Sequence, residues 1–211
     1  ADETTIRTLR ATDYPFILLE KQIKTLRINT ISTDSSAGAS LVTNHLDKLG
    51  YRNILIVADN KSTGRDTIDI QDLIDAIARK PSINKPVIIE LDKQNSGEEI
   101  SPVQFEQFLR PPYRADIMII MTANLVYPIM KFLRGKKVRI PQDIAIISME
   151  EGIGFDLMYS PVTSLRKPLA NLSVKAVNMI WSEVKNSGKG KFKRQVSITP
   201  ELVIRNSCGT I

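Results

Sequence analysis

The stretch IPQDIAIISMEEGIGFDLMYSPVTSLRKPLANLSVKAVNMIWSEVKNSGKGKFKRQVSITPELVIRNSCG (140–209) decides how this chain folds. It opens with an apolar strand, DIAIISM (143–149), that runs into two adjacent acids, Glu150 and Glu151. A Pro-Val-Thr-Ser segment follows, and then a helix-length amphipathic run over 169–185. A Lys/Gly loop leads to a last strand, VSITPELVIR (196–205). An apolar strand that hardly alternates is what a sheet covered by helices on both faces requires.

The same grammar holds upstream. PFILLE (15–20), NTIST (29–33), NILIVA (53–58), PVIIEL (86–91) and ADIMIIMT (115–122) are further strand candidates. Helical spacing fills the gaps. Ala39, Val42, Leu46 and Leu49 share one face of 36–49, and Ile70, Leu73, Ile74 and Ile77 one face of 66–79. Val126, Ile129, Met130 and Leu133 do so in 124–134, and Ala176, Val177, Ile180 and Val184 in 169–185. Asp34-Ser35-Ser36 supplies capping chemistry before the first of these, and Gly50 follows its last turn. A short helix over 3–11 opens the chain. Strand–helix alternation predicts right-handed crossovers and a doubly wound parallel α/β sheet.

Composition narrows the function classes. With 42% apolar and 25% charged residues, the chain has ordinary globular proportions. Its longest apolar runs, 117–121 and 144–147, are strand-sized and far short of a membrane span. Cys208 is the sole cysteine, so no disulfide can close within the chain. The polar first residues carry no apolar export signal, which together with the cysteine count points to a cytoplasmic protein. The net charge of +6 gathers in two clusters, Lys131 to Arg139 and Lys189 to Arg194. Neither is interleaved with aromatics or set on a DNA-binding motif, so both read as solvated loop charge.

No catalytic constellation is visible. His45 is the only histidine and reads as a helix-flank residue, which also leaves no credible zinc site. Ser160, Thr163 and Ser164 have no His-Asp partners in prospect. Glu150 and Glu151 are neighbours on a strand end, which sends them to opposite faces and argues against an acid–base dyad. Gly152 and Gly154 lack the following helix of a phosphate loop. Trp181 reads as packing or interface. No enzyme, cofactor or metal is expected.

Three segments carry a family likeness: YPFILLEKQ with NTISTDSSAGASLVTNHLDKLGYRNILIV (29–57); VRIPQDIAIISMEE (138–151); and SPVTSLRKPL (160–169) with TPELVIRNSCG (199–209). In this order and spacing they resemble the effector-binding domain of lactose-repressor/galactose-repressor type transcription regulators. The resemblance implies a periplasmic-binding-protein-like fold of two α/β lobes with ligand in the cleft. It assigns 1–32 with 164–189 to an incomplete N-terminal lobe and 33–163 with 190–211 to the C-terminal lobe. Crossovers are expected near Ser32-Thr33, near Thr163-Ser164 and in the Lys/Gly loop. It further implies a homodimer, with the helix over 66–79 in the interface, and operator DNA bound only through an upstream helix-turn-helix segment.

In open parallel sheets ligands sit at the carboxyl ends of strands. That rule selects Glu20 after PFILLE, Thr122 and Asn124 after ADIMIIMT, and Glu150 after DIAIISM. Carboxylates and amides there suit the paired hydroxyls of a sugar. By resemblance Glu20 and Glu150 match acidic positions of the family, and Lys167 stands where a glutamine often reaches the effector. The family's effector-clamping arginine aligns with Asp69, with Arg65 about one turn away. Its asparagine-aspartate pair aligns with Thr122-Ala123. Without the arginine the site is acidic, which favours a neutral sugar over an anionic effector. An extracytoplasmic sugar-binding protein serving a transporter is the alternative on the same fold.

Overall fold

The computed structural model describes residues 3–11, 14–20, 28–59, 69–91, 107–185 and 194–209. The chain divides into two compact units, 1–34 with 168–199 and 35–167 with 200–211.

The larger unit holds a six-stranded sheet. Its strands, numbered along the whole chain, are β3 (Ile54–Asp59), β4 (Val87–Leu91), β5 (Ile117–Ile120), β6 (Ala145–Ser148), β7 (Thr163–Arg166) and β9 (Glu201–Val203). They lie in the order β4-β3-β5-β6-β7-β9. All neighbours are parallel except β7 and β9, which are antiparallel. The near-continuous apolar runs are explained by what each face meets. Ile54, Ile56, Ile117, Ile119, Ala145 and Ile147 point into one core, with Leu46 and Val42 of α2 (Ser35–Leu49) and Leu73 and Ile77 of α3 (Ile70–Ala78). The alternate residues Leu55, Val57, Met118, Ile120 and Ile146 enter a second core, with Val126, Ile129 and Leu133 of α4 (Ala123–Gly135). Period-two alternation thus fills both faces with hydrophobic side chains.

The smaller unit holds three parallel strands in the order β1-β2-β8: β1 (Leu18–Leu19), β2 (Thr30–Thr33) and β8 (Gln195–Ile198). α5 (Leu169–Lys185) covers one face by burying Leu172, Ala176 and Met179 against Ile31, Val196 and Ile198. Ile6 of α1 (Glu3–Ala11) packs with Ile28, Phe16 and Leu18 in a separate cluster.

Several expectations need correction. PFILLE yields only a two-residue strand. Thr163 and Ser164 open β7, and the boundary between units falls a little beyond them, after Lys167. The polar character of this strand hid it. Its hydroxyls are buried but bonded: Thr163 Oγ1 donates to the Arg205 carbonyl, and Ser164 Oγ donates to the Glu151 carboxylate. VSITPELVIR is two strands rather than one. Gln195–Ile198 pairs with β2, Glu201–Val203 pairs with β7, and Thr199-Pro200 lies between them. Pro200 has no N–H for a ladder, which suits it to that break. The third passage between units is therefore here and not in the Lys/Gly loop at 187–194, most of which lies outside the described residues. On α5 the expected stripe is rotated: Val177 and Val184 are exposed, as is Trp181, whose ring lies 5.2 Å from Lys185 Nζ.

Candidate functional site

The carboxyl ends of β3, β5 and β6 build the rim of the larger unit. Val57, Ile120 and Ser148 are level in the sheet register. Two residues further along each chain come Asp59, Thr122 and Glu150, so three polar residues end three neighbouring strands in one row. Thr122 also stands at the N-cap of α4, in extended geometry but without a side-chain cap bond. The cap is supplied across the sheet instead. Glu150 Oε2 accepts from the Ala123 N–H at 3.1 Å, placing a carboxylate at a helix N-terminus where the exposed N–H groups favour negative charge. Thr122 Oγ1 is buried without a hydrogen-bond partner beside it. Asn124 is exposed on the first turn of α4. Pro128, inside the helix, removes the N–H that would have bonded the Asn124 carbonyl.

The backbone under Glu150 is held firmly. Ser148 Oγ donates to the Glu150 carbonyl at 2.7 Å, and Met149 N donates to the Ile120 carbonyl at 2.8 Å. Glu151 goes the other way. Its carboxylate takes Arg205 Nη2 at 2.6 Å, the Ser164 hydroxyl and, at 3.5 Å, Arg166. Burial pushes the Glu151 pKa up, but the bonds from Arg205 and Ser164 and the charges of Arg205 and Arg166 outweigh it and leave it below the usual 4.5.

Asp69 is first of all a helix cap. Its Oδ1 accepts from Gln71 N at 2.8 Å, and its own N–H donates to Ser35 Oγ at 2.8 Å, tying the starts of α2 and α3 together. Arg65 lies outside the described residues. Lys167 is half-buried between β7 and α5. Asp59 escaped sequence reasoning. It is buried, and the signal was an acid directly after the apolar run NILIVA.

The smaller unit has its own polar strand ends. Glu20, just after β1, has a left-handed backbone with φ of 54°, costly for a residue with a Cβ. The side chain explains how it is held: Glu20 Oε1 accepts from Thr33 N at 2.6 Å and from Thr33 Oγ1 at 3.0 Å.

Elsewhere, His45 sits on the packed side of α2. It is buried, with Nε2 3.3 Å from Cys208 Sγ. Burial, and then the charge of Lys48, lowers its pKa. Burial raises that of Cys208, in keeping with an unreactive thiol. No group of metal-ligating side chains exists among the described residues, and no described helix is long and apolar enough to cross a membrane.

A family model for the periplasmic binding protein-like domain matches residues 43–208. The chain belongs to this family. Within it the chain has the fold of LacI-type effector-binding domains, as the likeness to lactose-repressor/galactose-repressor regulators implied. It is 20% identical to the HTH-type transcriptional regulator PtxS of Pseudomonas plecoglossicida, over 93% of this chain and 56% of that protein. It is 23% identical to the arabinose metabolism transcriptional repressor of Geobacillus stearothermophilus, over 92% and 53% respectively. The chain therefore spans about half the length of the curated relatives it matches, which are transcription regulators and not enzymes. Among solved structures, a LacI family regulator from Enterococcus faecium with bound ribose superposes with a TM-score of 0.78 at 16% identity, covering 100% of this chain and 76% of that one. A LacI family regulator from Arthrobacter in complex with lactose gives 0.76 at 16% identity, covering 97% and 74%.

Proposed function

We propose that this chain is the effector-binding region of a bacterial LacI-type transcription regulator and that its effector is a neutral sugar. The observation that carries the reading is the row Asp59, Thr122, Glu150 at the carboxyl ends of three parallel strands, where this family of sheets receives ligands. Glu150 offers carboxylate oxygens from a fixed backbone, and the unpartnered Thr122 hydroxyl lies beside it. Acceptors of this kind pair with sugar hydroxyls. Among the described residues, the arginines beside Glu151, Arg166 and Arg205, are engaged by it, so neither is set aside for an anionic effector. Asn124 and Lys167 complete the proposed contacts on this unit. Asp69 is assigned to capping instead.

In this reading the region 1–34 with 168–199 corresponds to part of the family's N-terminal lobe. The regulator works in the cytoplasm as a homodimer with α3 at the subunit interface. DNA is bound by a helix-turn-helix segment outside this sequence, and the sugar changes operator affinity by stabilising one arrangement of the protein. That the relatives are regulators favours this over a transporter's binding protein.

The test is calorimetric titration of the full-length regulator with a panel containing ribose, arabinose and lactose. One sugar should bind saturably, and Glu150→Ala should weaken it by at least about 1 kcal/mol, roughly fivefold. Saturable binding of a purine or sugar phosphate with no response to any sugar would overturn the neutral-sugar reading. Unchanged affinity in a folded Glu150→Ala protein would remove Glu150 from the site.

A further inference from the structure

The six-stranded sheet has a second polar opening, at the end opposite the Asp59–Thr122–Glu150 row. A cleft of about 170 Å³ lies at the amino ends of β3, β4 and β5. Leu55, Val87, Phe108 and Pro112 give it apolar walls, and the ring of Tyr113, which is largely exposed, stands among them. Two cations, Lys85 and Arg114, line the same space.

Among the described residues no acid lines the cleft. Two described acids on the neighbouring chain, Asp116 and Asp143, are already committed. Asp116 Oδ2 accepts from the N–H groups of Arg52 and Asn53 at 3.0 and 2.8 Å. Asp143 is gripped by Arg139 through Nε at 2.9 Å and Nη2 at 2.7 Å. Arg114 makes one long bond, at 3.3 Å to the Asp143 carbonyl, and no close ion pair, and Lys85 bonds to no acceptor among the described residues. Lys85, with no acceptor among the described residues, and Arg114, beside an Asp143 carboxylate that Arg139 already holds, give the partly apolar cleft a local positive potential. Arginine is the side chain best shaped for a carboxylate.

We propose that this cleft binds a small aromatic carboxylate, separately from the effector rim. The cations would hold the carboxylate, and Phe108, Val87 and the Tyr113 ring would cover the flat face. The volume sets the size. It is below the roughly 300 Å³ at which drug-sized ligands begin, so the occupant is one ring and its acid group.

Benzoate is the probe, titrated into the full chain and followed by amide NMR shifts and by melting temperature. Saturable shifts centred on Asn53, Val87 and Ala115 are expected, with a rise in melting temperature by linkage. Benzamide has nearly the same shape and no charge, and should bind about tenfold more weakly or worse. Arg114→Gln should cost benzoate a similar factor. Absent or scattered shifts would overturn the proposal, as would benzamide binding as well as benzoate. The benzamide comparison needs no variant, so a poorly folding Arg114→Gln does not blunt it. No sugar enters the experiment, so its failure and that of the effector reading are separate results.

Discussion

Replacing Arg205 by methionine removes the guanidinium that joins the last strand of the larger sheet to the end of β6. Arg205 donates to Glu151 Oε1 at 2.6 Å, to Ser164 Oγ at 3.0 Å and to the Val162 carbonyl at 2.5 Å. Its side chain is 14% exposed and that of Glu151 is 26% exposed. An exposed pair would be worth about 0–1 kcal/mol, and breaking a fully buried one costs about 3–5. Partial burial, and the Ser164 hydroxyl and Arg166 that remain beside Glu151, place the loss between these limits, at about 2–3 kcal/mol. For a domain of this size that lowers the melting temperature by about 4–12 °C. Scanning calorimetry of wild type and variant measures it. The pH dependence adds a second check. The folded pKa of Glu151 lies below its ordinary 4.5, so its contribution is complete above 4.5 and is lost as pH falls through the lower folded value. The gap between wild type and Arg205→Met should accordingly narrow in acid. A variant that melts with the wild type at neutral pH, or a gap that widens in acid, would refute this account of the pair.

Asp69→Ala should lower stability by about 1 kcal/mol in urea unfolding, because the α3 cap bond from Gln71 N at 2.8 Å has no substitute. His45 has a folded pKa below its ordinary 6.5, so its neutral, buried form supports folding fully above 6.5 and progressively less as pH falls through the folded value. Urea midpoints should therefore drop from about pH 7 to about pH 5, and His45→Gln should flatten that part of the slope. Ile119→Ala, in the central strand and with no solvent exposure, should cost about 2–5 kcal/mol by the same measurement.

What was legible in the sequence followed from periodicity. DIAIISM and ADIMIIMT could be read as strands because both faces of the large sheet demand hydrophobic residues, and the structure buries every one of Ile117–Ile120. The stripe of α4 was legible for the same reason. Polar strands broke the rule. Thr163 and Ser164 are buried because Ser207 and Arg205, more than 40 residues on, come back to satisfy them, and no local pattern announces such partners. On α5 the expected stripe is only partly buried: Ala176 packs against the sheet while Val177 and Val184 are exposed. Hydrophobic spacing reports that a face is apolar and says nothing of what covers it.

At the candidate site the strand-end acids stood out in the sequence, and their wiring did not. Strand-end acids stand out in a sequence, so Glu150 could be selected, and the strand's alternation already sent Glu151 elsewhere. That Glu151 grips Arg205 required the return of the chain at β9, and that Glu150 caps α4 required β5 and β6 to be level. These two adjacent acids therefore fasten the same turn in two directions. One reaches the helix whose first residues line the rim. The other reaches β7 and β9, the strands from which the chain passes at Lys167–Pro168 and Thr199–Pro200 to the other unit. A ligand that drew Glu150 away from the Ala123 N–H would pull on a turn whose far side is anchored to those strands. Under the proposed function, the residue that would meet the ligand and the residue that holds those strands are therefore neighbours in the chain.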